Sequence, residues 1–237
     1  MIILPAIDIK DGNCVRLFRG DYATVHKVAE DPVQTACTFR EAGAQWVHMV
    51  DLDGAKDAKP ENREIFLRCA QVSGAKIEVG GGIRTMQTVQ DYLENGISRV
   101  ILGSAALNNP GFVREAAEKY GERIAVGIDA RGGMVAAEGW ISTSSVHYID
   151  LAKQMEQSGV STLIFTDIAK DGMLQGPNLE QLAALQSAVS CRVIASGGVS
   201  TLADIRALRG IGLYGAICGK AIYSGNLNLQ EAIAAAQ

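Results

Sequence analysis

The sequence lacks the features of a secreted or membrane-bound protein. No run of about 18 consecutive apolar residues occurs, which excludes a membrane-spanning helix. No basic segment precedes the first apolar run, which Asp8 interrupts, so the N-terminus is expected to form a strand and not a signal peptide. The five cysteines are widely spaced and form no Cys-x-x-Cys motif, which predicts free thiols and a cytoplasmic location.

Clusters of metal ligands and basic surfaces are missing as well. The three histidines are scattered, so no metal ion or other cofactor is expected, and His48, within an apolar run, is interpreted as a structural residue. The formal net charge of -4 excludes a nucleic-acid partner, which requires a basic face. We therefore expect a monomer whose partner is a small molecule, with no nucleic-acid and no membrane partner.

The most informative segment of the chain occurs twice. Residues 77–106, IEVGGGIRTMQTVQDYLENGISRVILGSAA, correspond without a gap to residues 193–221, VIASGGVSTLADIRALRGIGLYGAICGKA, at an offset of 116 residues. Each copy has the pattern of a strand, a glycine loop, a helix capped by a threonine, a second strand and a second glycine loop. The corresponding residues are Gly81 and Gly197, Gly82 and Gly198, Thr85 and Thr201, and Gly103 and Gly219.

The glycine loops of this repeat indicate an anionic ligand. Glycine after a strand lets backbone N–H groups close on an anion, and the following helix offers the positive end of its dipole. We therefore predict two phosphate sites, one in each half of the chain. The alternative is that these loops are tight turns that bind no ligand.

Apolar runs alternate with capped, periodic segments along the chain. They predict eight strands, near residues 2–8, 45–51, 76–80, 98–102, 123–129, 161–166, 191–195 and 214–218, and eight helices, near residues 32–42, 61–73, 86–95, 110–120, 147–158, 179–188, 202–209 and 228–236. Such alternation gives a parallel sheet with right-handed crossovers. With the repeat, it predicts an α/β fold, a (β/α)8 TIM barrel built from two duplicated half barrels, about 1–121 and 122–237, in a single domain. A doubly wound open sheet is the alternative.

Two aspartates are placed to act on a ligand in such a barrel. Ligands bind over the C-terminal ends of the strands, and Asp8 and Asp129 are predicted to end the first and fifth strands on opposite sides of the mouth. Thr166 ends the sixth strand and Asp171 follows in the next loop. Two facing carboxyl groups suit proton transfer, in which one takes a proton from carbon or nitrogen and the other gives one to oxygen. The donor then needs a raised pKa.

Structural roles compete with these assignments. Asp8 and Asp129 are each open to a role as a helix cap or ion-pair partner, and Asp51 and Asp167 are interpreted as structural. Trp140 and Arg19 are either substrate contacts or loop packing. Residues 16–22, RLFRGDY, are predicted to form a long loop that folds over a ligand, and residues 142–145 a plain loop.

Eight motifs together resemble those of the phosphoribosylformimino-aminoimidazole-carboxamide ribotide (ProFAR) isomerase family of histidine biosynthesis. They are PAIDIKDGNCVRLFRGDY, HMVDLDGAKD, VGGGIRT, ILGSAA, GIDAR, GW at 139–140, TDIAKDGMLQGPN and SGGVST. The resemblance covers essentially the whole chain. The related cyclase subunit of imidazole-glycerol-phosphate synthase usually opens with Cys-Leu-Asp, where this chain has Ala6, Ile7 and Asp8.

The resemblance implies a cofactor-free isomerase whose substrate has a phosphoribosyl group at either end. In this family a general acid protonates the ribose ring oxygen and opens the ring to an iminium, and a base then removes the C2 proton. This Amadori rearrangement converts an aminoaldose into an aminoketose. By resemblance Asp8 is the base, Asp129 or Asp171 is the acid with Asp129 preferred, and Thr166 is a hydrogen-bonding partner.

The resemblance also implies the residues that bind the substrate. Arg16 would contact it, and the phosphates would be held at Gly81, Gly82, Gly103, Ser104, Gly197, Gly198, Gly219 and Lys220. Lys220 stands where many relatives have arginine, so a point charge replaces a bidentate fork. Two other functions stay open: a bifunctional isomerase that also acts on phosphoribosylanthranilate, and a non-catalytic barrel that senses phosphorylated ligands.

Overall fold

The computed structural model describes residues 1–18, 21–137, 140 and 142–237. Its strands are β1 (Ile2–Lys10), β2 (Asn13–Phe18), β3 (Asp21–Ala29), β4 (Trp46–Asp51), β5 (Lys76–Gly80), β6 (Arg99–Leu102), β7 (Ile124–Arg131), β8 (Met134–Ala137), β9 (Ser142–His147), β10 (Thr162–Asp167), β11 (Arg192–Ser196) and β12 (Gly215–Cys218). Its helices are α1 (Pro32–Glu41), α2 (Leu52–Asp57), α3 (Arg63–Val72), α4 (Met86–Glu94), α5 (Ala105–Asn108), α6 (Pro110–Tyr120), α7 (Tyr148–Gln157), α8 (Leu179–Ala188), α9 (Leu202–Ile211), α10 (Lys220–Tyr223) and α11 (Leu229–Ala235).

A closed parallel barrel forms the centre of the molecule. The strands pair in the order β1, β4, β5, β6, β7, β10, β11 and β12, and β12 pairs with β1 to close the ring. The predicted (β/α)8 TIM barrel is confirmed, and the open-sheet alternative is wrong. All eight predicted strands and all eight predicted helices are present. The sequence prediction missed the short helices α2, α5 and α10, which follow β4, β6 and β12.

The apolar side chains of the barrel form two layers. The larger layer lies between the strands and the surrounding helices and includes Phe66, Tyr92 and Phe165. The smaller one fills the barrel interior with side chains from six strands: Leu4, Ala6, Ile101, Ala125, Ile164, Ile194 and Ile217. Alternate residues of each strand point to one layer or the other, so the inward residue nearest each C-terminal strand end faces the mouth of the barrel.

Two antiparallel hairpins extend the barrel at equivalent places. The chain leaves β1 through Asp11 and Gly12 into β2 and β3, and leaves β7 through Gly132 and Gly133 into β8 and β9. All four turn residues have positive φ, as two-residue hairpin turns require. The prediction that Asp8 and Asp129 end their strands is therefore wrong, because each lies two residues before the end of its strand.

The hairpins correct two loop predictions. Residues 142–145 are not a plain loop but part of β9, because their backbone pairs with β8. Within residues 16–22, those on either side of the undescribed residues 19 and 20 lie in β2 and β3, which pair with each other. Alternating polar residues suit such exposed two-stranded ribbons, and the sequence reading, guided by apolar runs, overlooked them.

The repeated threonines begin their helices as the sequence predicts. The Thr85 side chain accepts a hydrogen bond from the Thr88 amide at the start of α4. Thr201 does the same for Asp204 at the start of α9, where the Asp204 carboxylate accepts in return from the Thr201 amide. In the described part of the chain, no helix combines the length and apolar character that crossing a bilayer requires.

Candidate active site

One cavity lies over the C-terminal ends of the barrel strands. Its volume is about 300 Å³, within the usual size of a small-molecule site. Every site residue predicted from the sequence lines it: Asp8, Arg16, Gly81, Gly82, Gly103, Ser104, Asp129, Thr166, Asp171, Gly197, Gly198, Gly219 and Lys220. The barrel thus brings together residues that lie more than 200 positions apart in the chain.

An ion pair holds Asp8 at one side of the cavity. Asp8 lies on β1 beside Val50 of β4, and Arg16 reaches it from β2 because the hairpin turn folds β2 back along β1. Arg16 Nη1 donates to Asp8 Oδ2 at 2.7 Å, with both side chains largely buried. The guanidinium lies against Gly219, where an added Cβ would come within 2.5 Å of Arg16 Nη2. A side chain at position 219 would therefore displace the guanidinium from this position.

Asp129 has a different environment at the opposite side. It lies on β7 beside Thr166 of β10. The indole Nε1–H of Trp140 donates to Asp129 Oδ2 at 2.8 Å. Burial raises the pKa of Asp129, against the lowering effects of the hydrogen bonds from Trp140 and Thr166 and of any positive charge on His48. This carboxyl group keeps its proton to a higher pH than a solvent-exposed aspartate, as a general acid must.

Trp140 adopts an unusual backbone conformation. Its φ is +75°, in the left-handed region that bulky side chains rarely adopt. Such strain persists only where the surroundings enforce it, and it is concentrated at functional sites. Of the two roles left open for Trp140, contact with the site fits the structure, because the side chain lines the cavity and bonds Asp129.

Asp171 is the third carboxyl group of the cavity. It lies in the turn after β10, where its amide donates to the carbonyl of Asp167. Burial raises the pKa of Asp171; the charge of Arg16 opposes this shift, and the charges of Asp8 and Asp129 reinforce it. Both acids proposed from the sequence therefore have raised pKa values, and the geometry keeps both as candidates.

The two glycine pairs have a packing role in addition to their place in the cavity. Gly81-Gly82 and Gly197-Gly198 all have positive φ. A Cβ on Gly82 would lie 2.5 Å from the carbonyl oxygen of Gly54, and one on Gly198 would lie 2.4 Å from that of Gly176. Each pair therefore packs tightly on the preceding βα loop while its other side faces the cavity.

The second glycine loop of each half leads into a four-residue helix. Gly103 and Ser104 precede α5, and Gly219 precedes α10, which begins with Lys220. The Lys220 ammonium donates to the carbonyl of Gly172 at 2.7 Å. These loops follow β6 and β12, which are four strands apart in the ring of eight, so they bring backbone amides and one lysine to opposite sides of the rim.

Asp51 and Asp167 have the structural roles assigned to them. Asp51 is fully buried and accepts hydrogen bonds from the amides of Gly54, Glu61 and Asn62 and from the Asn62 side chain. Asp167 accepts from the side chain of Asn178, the residue equivalent to Asn62 at the 116-residue offset. In both halves this aspartate fixes the loop on which the glycine pair packs.

The sequence analysis overlooked three residues that line the cavity. Tyr22 donates its hydroxyl to the carbonyl of Leu52, which ties the first hairpin to the loop after β4. Arg84 follows the first glycine pair, and its position in the motif VGGGIRT was the available signal. His48 was interpreted as structural, although it reaches the cavity. Arg19 and Gly139, named in the sequence analysis, lie outside the described residues.

Comparisons with known proteins all indicate the same family. Residues 2–228 match the family described as "Histidine biosynthesis protein". A protein of Listeria welshimeri named 1-(5-phosphoribosyl)-5-((5-phosphoribosylamino)methylideneamino) imidazole-4-carboxamide isomerase is 54% identical over 231 residues, which are 98% of this chain and 96% of that protein. Proteins of the same name are 52% identical over 233 residues in Clostridium botulinum strain Langeland and in Listeria innocua; both matches cover 98% of this chain, with 96% and 97% of the relatives.

Proposed function

The chain belongs to the histidine biosynthesis protein family and is an isomerase of that pathway, and we propose that Asp8 and Asp129 carry out its proton transfers. Its substrate is ProFAR, the compound in the name of its relatives, and its reaction is the rearrangement of the aminoaldose to the aminoketose. The observation that supports the two roles is the pair of carboxyl groups in one cavity, one ion-paired and one with a raised pKa.

The proposed reaction begins at the buried carboxyl group. Asp129 in its acid form gives a proton to the ribose ring oxygen, and the C1–O bond breaks to leave an iminium. The Asp8 carboxylate removes the C2 proton, which produces an enolamine. Protonation at C1 and loss of the proton on the C2 oxygen give the ketose. C2 is oxidised and C1 is reduced within one molecule, so the sequence of steps balances without an external oxidant or reductant.

Two further side chains support these steps. Thr166, next to Asp129 on the adjacent strand, orients the acid by a hydrogen bond. Arg16 holds the Asp8 carboxylate in place, and its side chain lines the cavity in which the substrate would bind. Asp171 is the alternative acid, because it lines the same cavity and burial raises its pKa as well.

The two phosphates of the substrate are proposed to bind at opposite sides of the mouth. The first site comprises the glycine loops at Gly81-Gly82 and Gly103-Ser104, and the second those at Gly197-Gly198 and Gly219-Lys220. Their amides line the same cavity as the aspartates. A substrate held at both ends would lie across the centre, where the proton transfers occur.

A monomeric, cytoplasmic enzyme is proposed to carry out this reaction. The five cysteines are free in the structure, which supports a reducing compartment.

The experiment offers the purified protein ProFAR and phosphoribosylanthranilate separately, without added metal ion or nucleotide. Turnover of ProFAR alone supports a single function, and turnover of both supports the bifunctional alternative. Asp8→Asn is the companion variant, because asparagine keeps the shape but cannot take the proton. It should abolish turnover while binding of the bis-phosphorylated product stays within about threefold. Binding of both compounds without turnover by the wild type would instead indicate a sensor.

A further inference from the structure

A row of three ionisable side chains crosses the inside of the barrel below the cavity. His48 on β4, Glu78 on β5 and Arg99 on β6 are direct neighbours in the strand register. His48 Nδ1 lies 2.6 Å from Glu78 Oε1, and Arg99 Nε donates to Glu78 Oε2 at 2.8 Å. Glu78 is 0% exposed and Arg99 is 1% exposed. The Arg99 guanidinium packs on the ring of Trp46, 4.4 Å from its centre.

The equivalent row of the second half is apolar. At the 116-residue offset, His48, Glu78 and Arg99 correspond to Ile164, Ile194 and Gly215, which are paired in the same register on β10, β11 and β12. The second half of the barrel therefore has no charged side chain in this row. Burying an ion pair in place of apolar side chains gains little stability or none. A gain in folding stability therefore does not explain the ionic row of the first half.

The hydrogen bonds of Glu78 determine which nitrogen of His48 carries a proton. The bonds from His48 and Arg99 and the charge of Arg99 hold the pKa of Glu78 below its ordinary value, despite its burial. An ionised carboxylate only accepts hydrogen bonds, so the proton of this contact belongs to His48 Nδ1. Arg99 balances the charge of the carboxylate, and a ring that carries only the Nδ1 proton has a bare Nε2.

His48 connects this row to the substrate cavity. Its side chain lines the cavity, and Ala6, its neighbour on β1, leaves room for the ring. It lies close enough to Asp129 for a charge on its ring to affect that carboxyl group. The groups around it are therefore Glu78 and Arg99 below and Asp129 at the cavity.

We infer that Glu78 and Arg99 are positioning residues, which fix His48 with its proton on Nδ1 so that Nε2 accepts a hydrogen bond from a hydroxyl or amine group of the sugar that is rearranged. This inference rests on the proposed function, since it places the sugar between the aspartates. A bare Nε2 also keeps positive charge away from Asp129, whose acid form the reaction requires. Carboxylate–imidazole pairs set the tautomer and orientation of histidines in this way at other sites.

Glu78→Gln is the variant that tests the inference. Arg99 requires an acceptor, so the new amide oxygen would face Arg99 and the amide NH2 would face His48. The ring must then accept at Nδ1 and carry its proton on Nε2. The nitrogen that faces the cavity thus becomes a hydrogen-bond donor instead of an acceptor. We expect nitrogen NMR of ¹⁵N-histidine-labelled protein to show this change of tautomer, and kcat to fall about 10- to 100-fold. KM should change less than threefold, because the phosphates hold the substrate.

Two controls separate positioning from stability. Glu122→Gln breaks the exposed ion pair with Arg192 at the other end of the barrel and should leave kcat unchanged. The double variant Glu78→Leu with Arg99→Met replaces the buried pair by apolar side chains, so the fold is kept while the tautomer is no longer fixed. Its kcat should be as low as that of Glu78→Gln.

The outcomes distinguish the inference from the proposed function. Wild-type His48 with a proton on Nε2, or on both nitrogens near neutral pH, would overturn the inference. So would full kcat in a folded Glu78→Gln or double variant. If the wild type does not turn over ProFAR, the proposed function fails, and the wild-type NMR spectrum still decides the tautomer. If Glu78→Gln does not fold, the double variant and the wild-type spectrum decide.

Discussion

In the first half of the barrel Asp8 lies beside Val50 and pairs with Arg16, whereas in the second half Asp129 lies beside Thr166 and accepts from the indole of Trp140. Val50 and Thr166 are equivalent at the 116-residue offset. The backbone therefore presents two carboxyl groups in the same way, and the side chains around them differ. Asp8 is held by an ion pair with a guanidinium, whereas burial raises the pKa of Asp129 and favours its acid form.

The cations at the rim are also exchanged between the halves. Arg84 follows the glycine pair of the first half, where the second half has Ser200, and Lys220 stands in the second half where the first has Ser104. Each half thus has one cation among its cavity-lining loops, on a different loop in each half. One half cannot simply replace the other, because the reaction treats the two ends of its substrate differently.

The largest expected effect comes from removing the acid. Asp129→Asn should lower kcat about 10³-fold, because asparagine cannot give a proton to the ring oxygen. In the wild type, kcat should fall as pH rises through the raised pKa of the acid, since only the protonated form is active. A pH profile of kcat measures this. If Asp171→Asn removes the alkaline fall and Asp129→Asn does not, Asp171 is the acid.

Moving a cation between loops tests the exchange at the rim. Lys220→Ser should raise KM about 10- to 100-fold, the effect of one lost charged hydrogen bond. Adding Ser200→Arg places the cation on the loop that the first half uses and should recover most of the loss. Steady-state kinetics of the single and double variants provide the measurement. No recovery, or no effect of the single variant, would contradict a phosphate site there.

Alanine at the two equivalent glycines should have unequal effects. Gly219→Ala places a Cβ 2.5 Å from Arg16 Nη2, whereas a Cβ on Gly103 meets nothing within 4 Å. We expect kcat to fall about tenfold more for Gly219→Ala than for Gly103→Ala, since displaced Arg16 no longer holds Asp8. Equal losses would show that the Arg16 contact has no role in turnover.

The neighbours of the two aspartates provide a matched pair of smaller changes. Thr166→Val removes the hydroxyl beside Asp129 with almost no change of volume and should lower kcat about tenfold. Val50→Thr adds a hydroxyl beside Asp8 and should change kcat less than threefold. Thr166→Ser should retain most activity. If Thr166→Val is fully active, the hydroxyl does not orient the acid.

The smallest expected effect is on stability and has opposite signs in the two halves. The raised pKa of Asp129 means that its ionisation costs stability as pH rises through that pKa, so Asp129→Asn should gain stability relative to the wild type above that pKa. This gain should disappear as pH falls towards 4. Asp8→Asn leaves Arg16 buried without its partner and should lose stability. Urea unfolding at several pH values measures both, and a loss for Asp129→Asn would contradict its assignment.

Much of the fold was predictable because its signals are local. Apolar runs, threonine caps and the 116-residue repeat indicated the barrel strands and helices and put Asp8 and Asp129 over the same mouth. The hairpins were missed, although Asp11-Gly12 and Gly132-Gly133 have the composition of two-residue hairpin turns. Polar residues interrupt β2, β3 and β9, and β8 has only four residues, so none of these strands forms a long apolar run.

The sequence by itself determined the repeat and the alternation of strands and helices, because each depends on neighbours within one turn or one strand. Only the tertiary structure decided which side chains surround each aspartate and that His48, Glu78 and Arg99 form one row. The row depends on the register between strands whose paired residues are 21 and 30 positions apart in the chain, and the ion pair of Asp8 depends on the fold of the first hairpin. A shift of one residue would turn each of these side chains to the other face, and no local pattern fixes that register.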